Sequence, residues 1–270
     1  MVTLGTLLKD SYLLIEKNDA VVLLCDLIQK DKAWLLTHRS EKADDEAAAE
    51  FRSRIKRRSA GEPVAYITGK KEFFSLEFEV TRDVLIPRPD TEILAQWAID
   101  VTRDGNRVLD ICCGSGCLGI TVAHNRKCTL TMLDISKEAI RIAQRNAKKH
   151  GIDSSFLNSD ILSGGIYGEY DVIISNPPYV EKSVLCSLAP DVKYYEPALA
   201  LDGGEDGLRF YPPIIEKAYK SLDYKGYLGL EVGFSQADKI AEMMKKNGFC
   251  EIKKLKDYSG IDRVVTGYKP

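Results

Sequence analysis

An asparagine next to two prolines is the feature of this sequence with the clearest chemical meaning. The segment Asn176, Pro177, Pro178 and Tyr179 follows an apolar run, 171–175, that is typical of a short buried strand. Pro177 has no N–H to donate to a sheet and disfavours helical φ/ψ at Asn176, so the strand must end there. The Asn176 oxygen and the Pro177 carbonyl are then acceptors for the two hydrogens of a planar NH2 group. The alternative is a proline-rich turn with an asparagine cap.

A second candidate site is a glycine-containing turn after an earlier apolar run. Residues 107–111 predict a buried strand, and the turn after it consists of Cys112, Cys113, Gly114, Ser115 and Gly116. The two glycines allow a ligand to approach the backbone closely. A helix predicted from Cys117 would direct its N-terminus toward that ligand.

Acidic residues lie at the ends of the neighbouring predicted strands. Asp110 belongs to the first strand, and Asp134 ends the second, where an acid often binds ribose hydroxyls. Asp160 and Ile161 follow the third strand, and Asp160 is placed to meet an adenine base. With Asn176, four strand ends are predicted to meet at one crevice.

A nicotinamide oxidoreductase also fits a G-x-G turn with a downstream acid. A dinucleotide pyrophosphate, however, prefers a third glycine and a helix N-terminus without nearby negative charge. Asp110 would repel that phosphate, whereas it would attract a sulfonium and an ammonium group. The Asn-Pro-Pro-Tyr segment has no role in hydride transfer. The remaining alternative is that Asp110 and Asp134 are only cap or turn residues.

The rest of the chain predicts three regions, at 1–70, 71–88 and 89–270. Helical periodicity extends from about residue 4 to 60, and its last helix, 44–59, ends in a basic cluster that is either a solvated face or a contact for an acidic partner. Apolar and polar residues alternate at 76–80, which predicts a half-buried strand. This strand is expected to form a hairpin, with a turn at Arg82-Asp83 and a second strand at 84–86. A helix capped by Asp90 or Thr91 would follow and end near Val101.

Strands and helices alternate from residue 107 onward, as in a doubly wound parallel sheet. Strands are expected near 107–111, 128–133, 154–158, 171–175 and 226–232, and helices near 117–126, 136–149, 207–222 and 235–247. Two final strands, 249–256 and 262–269, have no helical pattern between them. They should pair as a hairpin, which makes the last strand antiparallel.

Composition excludes several classes of protein. With Lys+Arg 38 and Asp+Glu 40, the net charge of -2 gives no general attraction to nucleic acid, and no stable nucleic-acid partner is expected. No targeting sequence or membrane-spanning run is visible, so a cytoplasmic protein without a membrane partner is expected. Seven cysteines without a C-x-x-C pair indicate reduced thiols and no metal site.

The Asn-Pro-Pro-Tyr segment resembles the signature of methyltransferases that act on amino groups attached to planar systems. Over nearly its whole length, the chain resembles the HemK/PrmC family, the N5-glutamine methyltransferases of peptide chain release factors. One motif is the end of the first predicted strand with the turn after it, residues 108–117, here called the cofactor loop, and another is 176–179. The other motifs that carry the resemblance are 62–69, 85–92, 196–199, 202–208 and 262–265. Their order and joint occurrence make the resemblance specific.

This resemblance implies an α/β fold: a seven-stranded class I S-adenosylmethionine-dependent methyltransferase sheet with its last strand antiparallel, a small all-α N-terminal domain and a hairpin linker. The N-terminal domain would recognise the partner. The implied substrate is the glutamine of the Gly-Gly-Gln loop in class 1 peptide chain release factors. A related branch modifies a ribosomal protein, but the segment 89–92 favours release factors.

The resemblance also assigns roles to the candidate residues. The expected cofactor-binding residues for S-adenosylmethionine are Asp110, Cys112, Cys113, Gly114, Ser115, Gly116, Asp134, Asp160, Ile161 and Asn176. Asn176, Pro177 and Tyr179 are expected to be catalytic, and together with Pro178 they would bind the substrate glutamine. Tyr179 would pack against the amide plane or the cofactor.

Cys112 and Cys113 depart from the family pattern. The family usually has glycine at the position of Cys112, often with threonine next to it. A Cβ at Cys112 opposes a positive φ and could crowd the methionine moiety. Cofactor binding is expected to survive because Cys is small, and weaker affinity is the alternative. Two alternatives remain open: a nucleic-acid methyltransferase acting on an exocyclic base amine, and a non-catalytic binding module that keeps the fold.

Overall fold

The computed structural model describes residues 2–270 and divides into two compact units. One unit comprises the residues up to Lys70 together with Ala189–Tyr195. The other comprises Lys71–Leu188 and Glu196–Pro270. Within the described residues, no helix is both long enough and apolar enough to span a bilayer.

The first unit is helical. Its helices are α1 (Leu4–Ser11), α2 (Lys17–Ile28), α3 (Lys32–Thr37), α4 (Asp45–Ser59), α5 (Val64–Thr68) and, in chain-order numbering, α10 (Pro190–Tyr195). Apolar residues at helical spacing form one core, in which Leu8, Leu23 and Phe51 are among the most deeply buried. The predicted all-α N-terminal region is confirmed.

The basic cluster at the end of α4 is largely paired inside this unit. Three of its arginines form ion pairs with acids of the same unit: Arg54 with Asp26 at 2.6 Å, Arg57 with Glu62 at 2.8 Å, and Arg58 with Asp19 at 2.7 Å. Arg52 and Lys56 are exposed. The pairs of Arg54 and Arg58 join α4 to α2, whereas the pair of Arg57 with Glu62 ties the end of α4 to the segment that follows it.

The hairpin after the helices differs from the predicted one. Its strands are β1 (Lys70–Phe73) and β2 (Leu76–Glu79). They are joined at Phe74 and Ser75, whose φ angles are 51° and 62°. Such turns usually contain glycine or asparagine, so Phe74-Ser75 gave no turn signal. The predicted turn at Arg82-Asp83 is present, with the Val84 N–H donating to the Thr81 carbonyl at 3.2 Å, but it lies beyond the hairpin. The strand predicted at 84–86 is wrong, because that segment is irregular.

The second unit contains a seven-stranded sheet. Its strands are β3 (Arg107–Ile111), β4 (Thr129–Asp134), β5 (Ser154–Asn158), β6 (Tyr170–Ser175), β7 (Leu222–Glu231), β8 (Cys250–Lys256) and β9 (Asp262–Tyr268). They are ordered β5-β4-β3-β6-β7-β9-β8, with β3 to β7 parallel and β9 antiparallel to both of its neighbours. The predicted seven-stranded sheet with an antiparallel last strand is confirmed.

Helices cover both faces of this sheet. They are α6 (Thr91–Val101), α7 (Cys117–Asn125), α8 (Lys137–Lys149), α9 (Lys182–Leu185), α11 (Tyr211–Ser221) and α12 (Ala237–Lys246), with a 3-10 turn at Ala198–Ala200. Side chains of α6, α7 and α8 share one apolar core, and those of α11 and α12 share another. Alternate strand residues such as Val108 and Leu109 point into the two cores, as a pleated strand requires.

One helix start and one helix cap differ from the sequence prediction. The helix expected from residue 207 begins at Tyr211, because Gly207 has a φ of +70° and prolines occupy the first turn. Helix α6 begins at Thr91 as expected, but the Asp90 side chain makes no capping hydrogen bond. Asp90 lies instead 3.2 Å from Arg263.

The strand order reverses between β3 and β6, and this reversal fixes the position of a crevice. In parallel α/β sheets, ligands bind beyond the carboxyl ends of the strands at such a point. Ile111 of β3 pairs with Ser175 of β6. The next residues, Cys112 and Asn176, therefore leave the sheet side by side.

Candidate active site

The loop after β3 has a backbone conformation that glycine usually provides. Cys112, Gly114 and Gly116 have φ angles of 59°, 53° and 79°. A non-glycine residue in the left-handed region costs about 1–2 kcal/mol, because its Cβ approaches the following carbonyl oxygen. The N–H of Cys113 donates to the Leu133 carbonyl at 3.1 Å and ties the loop to β4. The loop therefore holds Cys112 in the conformation that its Cβ opposes.

Gly114 and Gly116 serve different purposes. An ideal Cβ at Gly114 would meet no atom within 4 Å, and this residue lines the cavity described below. A Cβ at Gly116 would lie 2.8 Å from Ile120 Cδ1 and 3.1 Å from Met132 Sδ. Gly116 therefore allows α7 to start close against the core. It lies behind the cavity wall, and its predicted cofactor contact stays a prediction.

Asp134 lies in the cavity wall with both carboxylate oxygens oriented by the backbone. Its Oδ2 accepts the N–H of Gly114 and its Oδ1 accepts the N–H of Ser136, each at 2.9 Å. Burial raises the pKa of Asp134, while these hydrogen bonds oppose the rise. Ile135 contributes a third backbone hydrogen bond to this carboxylate. The remaining acceptor capacity of the carboxylate can serve hydroxyl groups of a ligand in the cavity.

Asp110 is a second carboxylate of the same cavity. It is 1% exposed, and its Oδ2 accepts the N–H of Gly119 at 2.9 Å. Burial raises the pKa of Asp110 to about 7, the Gly119 hydrogen bond lowers it, and the charge of Asp134 raises it. Within residues 2–270, no lysine or arginine contributes to the pKa shift of either carboxyl. A cationic ligand would supply the missing positive charge.

Asp160 and Ile161 form the far end of the cavity. Asp160 Oδ1 accepts the N–H of Leu162 at 2.8 Å, and its Oδ2 accepts the Ser163 hydroxyl at 3.0 Å. The ammonium group of Lys217 donates to carbonyl oxygens of the same loop, including that of Ile161. This loop is therefore held in one shape beside the cavity.

The Asn-Pro-Pro-Tyr segment begins directly after β6, beside the loop that follows β3. Asn176 is half-buried, and its Nδ2 donates to Thr91 Oγ1 at 3.3 Å. Asn176 and Pro178 line the cavity, whereas the buried Pro177 ring does not. With Nδ2 directed at Thr91, Asn176 has its Oδ1 available as an acceptor.

Tyr179 makes its polar contact away from the cavity. Its hydroxyl donates to Glu231 Oε1 at 3.3 Å, and burial raises the pKa of Tyr179. Burial also raises the pKa of Glu231 to about 7, against hydrogen bonds from Thr91 and Tyr179 that lower it. The side chain of Gln236 donates to the Tyr179 carbonyl at 3.1 Å. The structure therefore places Tyr179 behind Asn176, and its direct catalytic contact stays a prediction.

One cavity of about 430 Å³ brings most of the predicted residues together. The predicted residues that line it are Asp110, Cys112, Cys113, Gly114, Ser115, Asp134, Asp160, Ile161, Asn176 and Pro178. Gly116, Pro177 and Tyr179 are outside this set. Carboxylates occupy the end near β3 to β5. Arg88, paired with the buried Glu196 at 2.5 Å, and Arg209 also line the cavity.

Part of the wall comes from residues whose contact with the cavity the sequence analysis missed. They include Arg82, Asp83, Val84, Leu85, Pro87, Arg88, Thr91, Cys117, Pro197, Leu199, Ala200, Arg209 and Phe210. Several of these residues belong to the family motifs at 85–92 and 196–199. Those motifs were the sequence signal from which their contact with the cavity could have been predicted. The segment 82–88, expected to be hairpin, forms one side of the cavity.

Comparisons with known proteins agree with this architecture. Residues 5–69 match the family model described as PrmC N-terminal domain, and residues 90–189 match the methyltransferase small domain. The release factor glutamine methyltransferase of Clostridium acetobutylicum is 36% identical over 255 residues, covering 92% of this chain and 90% of that relative. The one from Geobacter sulfurreducens is 38% identical over 246 residues, covering 91% and 87%. The chain belongs to the release factor glutamine methyltransferase family.

Solved structures share the fold at lower identity. A methyltransferase from Pyrococcus furiosus has a TM-score of 0.56 at 20% identity, covering 81% of this chain and 97% of that one. The M. jannaschii TYW2 structure in complex with AdoMet has a TM-score of 0.50 at 14% identity, covering 74% and 84%. The predicted class I methyltransferase sheet is thereby confirmed.

Proposed function

We propose that this protein transfers a methyl group from S-adenosylmethionine to the side-chain amide nitrogen of the Gly-Gly-Gln glutamine in class 1 peptide chain release factors. The single observation that carries the proposal is the position of Asn176. It follows β6 beside the cofactor loop, lines the cavity, and has its NH2 group held by Thr91. Family membership supports the same substrate.

The cavity fits S-adenosylmethionine in charge. Asp110 is buried and Asp134 half-buried there, and no lysine or arginine of the described residues contributes to the pKa shift of either. The sulfonium and ammonium groups of this cofactor would stabilise both carboxylates. A dinucleotide pyrophosphate would be repelled, which argues against the oxidoreductase alternative.

Individual residues would hold different parts of the cofactor. The remaining acceptor capacity of Asp134 suits the ribose hydroxyls, and the loop at Asp160 and Ile161 would flank the adenine. Asp110 and the Cys112–Ser115 turn would hold the methionine portion. When bound, S-adenosylmethionine supplies an electrophilic methyl group.

Asn176 and Pro177 would orient the substrate. A glutamine amide nitrogen is a poor nucleophile, because its lone pair is delocalised into the carbonyl. The Asn176 Oδ1 and the Pro177 carbonyl would accept its two N–H hydrogens and stabilise positive charge that develops on nitrogen. Aligned acceptors of this kind contribute several kcal/mol. No general base is needed for the attack, because the N-methylated amide is cationic and loses a proton readily afterwards, and S-adenosylhomocysteine is the other product.

We further propose that the helical unit recognises the protein partner and that the enzyme acts in the cytoplasm without a stable nucleic-acid partner. The match of residues 5–69 to the PrmC N-terminal domain supports a role for the helices specific to this family. The net charge of -2 argues against general attraction to nucleic acid.

Methyl transfer from labelled S-adenosylmethionine tests the proposal. The acceptors are a purified release factor, the same factor with its Gly-Gly-Gln glutamine changed to alanine, large ribosomal subunits and duplex DNA. Label on the intact factor alone is the expected result. Label on ribosomes or DNA instead, or on no acceptor, would refute the proposed substrate.

A further inference from the structure

The side chain of Asn146 in α8 is fully buried and forms hydrogen bonds with two segments outside its own helix. It is 0% exposed. Its Oδ1 accepts the N–H of Glu79 at 2.7 Å, and its Nδ2 donates to the carbonyl of Glu79 at 3.0 Å and to that of Ser115 at 2.9 Å. Both amide hydrogens and the amide oxygen are engaged, and the opposite orientation of the amide would set its oxygen against two carbonyls. The contacts therefore fix the orientation of Asn146.

The two partners of Asn146 belong to different parts of the cavity wall. Glu79 ends β2, and the chain continues from it through two residues into the irregular wall segment 82–88. Ser115 belongs to the turn after β3 and lines the cavity itself. Asn146 is not among the described residues that line the cavity. It therefore connects two parts of the wall from behind.

The turn after β3 needs contacts of this kind to keep its shape. Cys112 has a φ of 59°, a conformation that its Cβ opposes. The N–H groups of Cys113 and Gly114 tie the turn to β4, at 3.1 Å and 2.9 Å. The hydrogen bond from Asn146 to the Ser115 carbonyl ties it to α8. The turn is thus held by two neighbouring elements against the preference of one of its own residues.

We propose that Asn146 is a positioning residue for cofactor binding, which joins the 82–88 segment and the Cys112–Ser115 turn into one preformed wall. A wall that is ordered before the ligand arrives does not have to be ordered by the ligand. Without the amide, the Ser115 carbonyl and the Glu79 backbone lose buried partners, and the turn becomes ordered only when the cofactor binds. The inference rests on the cofactor of the proposed function and not on its protein substrate.

Charged side chains also join α8 to β2 and provide a matched control. Arg145 lies 2.7 Å from Glu79 Oε1, and Lys149 lies 2.8 Å from Glu77 Oε1. These side chains are 38% or more exposed, so each pair contributes little to stability. Neither pair includes a residue of the turn after β3. Arg145→Gln therefore weakens the same contact between α8 and the hairpin without removing the hydrogen bond to Ser115.

Calorimetric titration with S-adenosylmethionine tests the proposal on the full chain. Asn146→Leu removes every hydrogen bond of the amide at similar side-chain volume. We expect this variant to raise the cofactor Kd about tenfold, because the turn is no longer ordered in advance. Arg145→Gln should keep the Kd within about twofold of wild type. An unaltered Kd for Asn146→Leu, or an equal rise for Arg145→Gln, would overturn the proposal.

Amide hydrogen exchange of the cofactor-free protein separates this role from simple anchoring of the hairpin. Exchange reports local opening of a segment without any ligand or activity. We expect Asn146→Leu to speed exchange both in residues 79–85 and in residues 112–119, whereas Arg145→Gln leaves 112–119 as in wild type. Faster exchange of Asn146→Leu in 79–85 alone would show that Asn146 only anchors the hairpin, and it would overturn the proposal.

The failure of this inference differs from failure of the proposed function. If wild-type enzyme labels the release factor and Asn146→Leu binds the cofactor as tightly as wild type, the positioning role is refuted and the function stands. If the Kd rises as expected but wild-type enzyme labels no release factor, the proposed substrate is refuted and the positioning role stands. Thermal unfolding of each variant establishes that it is folded, and Asn146→Ala serves if Asn146→Leu does not fold.

Discussion

Replacing Cys112 tests whether the cofactor loop stores backbone strain. The residue has a φ of 59°, a conformation that costs a non-glycine residue about 1–2 kcal/mol. Glycine removes this cost but loses about 0.5–1 kcal/mol through greater freedom in the unfolded chain. Alanine keeps the Cβ and, like glycine, lacks the thiol. We therefore expect Cys112→Gly to be more stable than Cys112→Ala by about 0.5–1 kcal/mol.

Urea unfolding of the cofactor-free protein measures this difference. Cys113 provides a matched control, because it is a buried neighbour that is not among the residues with positive φ in the described chain. At Cys113 the order should reverse, with alanine more stable than glycine by about 0.5–1 kcal/mol. If alanine is also the more stable residue at position 112, the loop is not strained there and the reasoning fails.

Three further predictions follow from the site. Asp134→Asn should raise the Kd for S-adenosylmethionine about tenfold or more, with little change in kcat at saturating cofactor. If calorimetry finds an unaltered Kd, Asp134 does not bind the ribose. Burial raises the pKa of Asp110 from the ordinary 3.8 to about 7. Its ionisation therefore lowers the free energy of unfolding of the cofactor-free protein, fully above about pH 7 and not at all below about pH 4. Binding of a cation lowers that pKa. Affinity should therefore rise between about pH 5 and 7, and Asp110→Asn should lessen the rise; an identical pH dependence for the variant would exclude Asp110 as its source. Gly116→Ala should destabilise the protein by about 2–4 kcal/mol, because a positive φ is combined with a Cβ that clashes with Ile120. Gly105→Ala is the control, because Gly105 has a φ of +86° but no atom within 4 Å of the added Cβ. This variant should lose only the stability that the positive φ costs. Equal losses of stability for the two variants in thermal unfolding would rule out the clash at Gly116.

Much of the fold was predictable from residue patterns. Strands β3 and β5 have the predicted bounds. In β3 a buried apolar run ends at a glycine-containing turn, whereas β5 is an edge strand without a fully buried residue. The hairpin was misplaced because Phe74 and Ser75 adopt positive φ angles that their residue types do not indicate. The short helices α9 and α10 were missed, since four to six residues are too few to show a periodicity.

The site residues that lie at the ends of strands could be predicted from the sequence. Asp110, Asp134 and Asn176 meet in one cavity, because parallel strands carry their ends to one edge. The sequence could not show that Tyr179 turns away to Glu231, since that contact joins residues 52 positions apart. Nor could it show that the 82–88 segment forms a wall, because an irregular segment has no periodicity to read.

Single-turnover methyl transfer by Asn176→Ala tests the central claim most directly. Release factor is mixed with an excess of enzyme saturated with S-adenosylmethionine, and methylated glutamine is quantified by mass spectrometry. The cofactor Kd is measured beside it. The account predicts a rate about 10²-fold below wild type with the cofactor Kd nearly unchanged, because one acceptor for the substrate N–H is lost. An unchanged rate of glutamine methylation would contradict it.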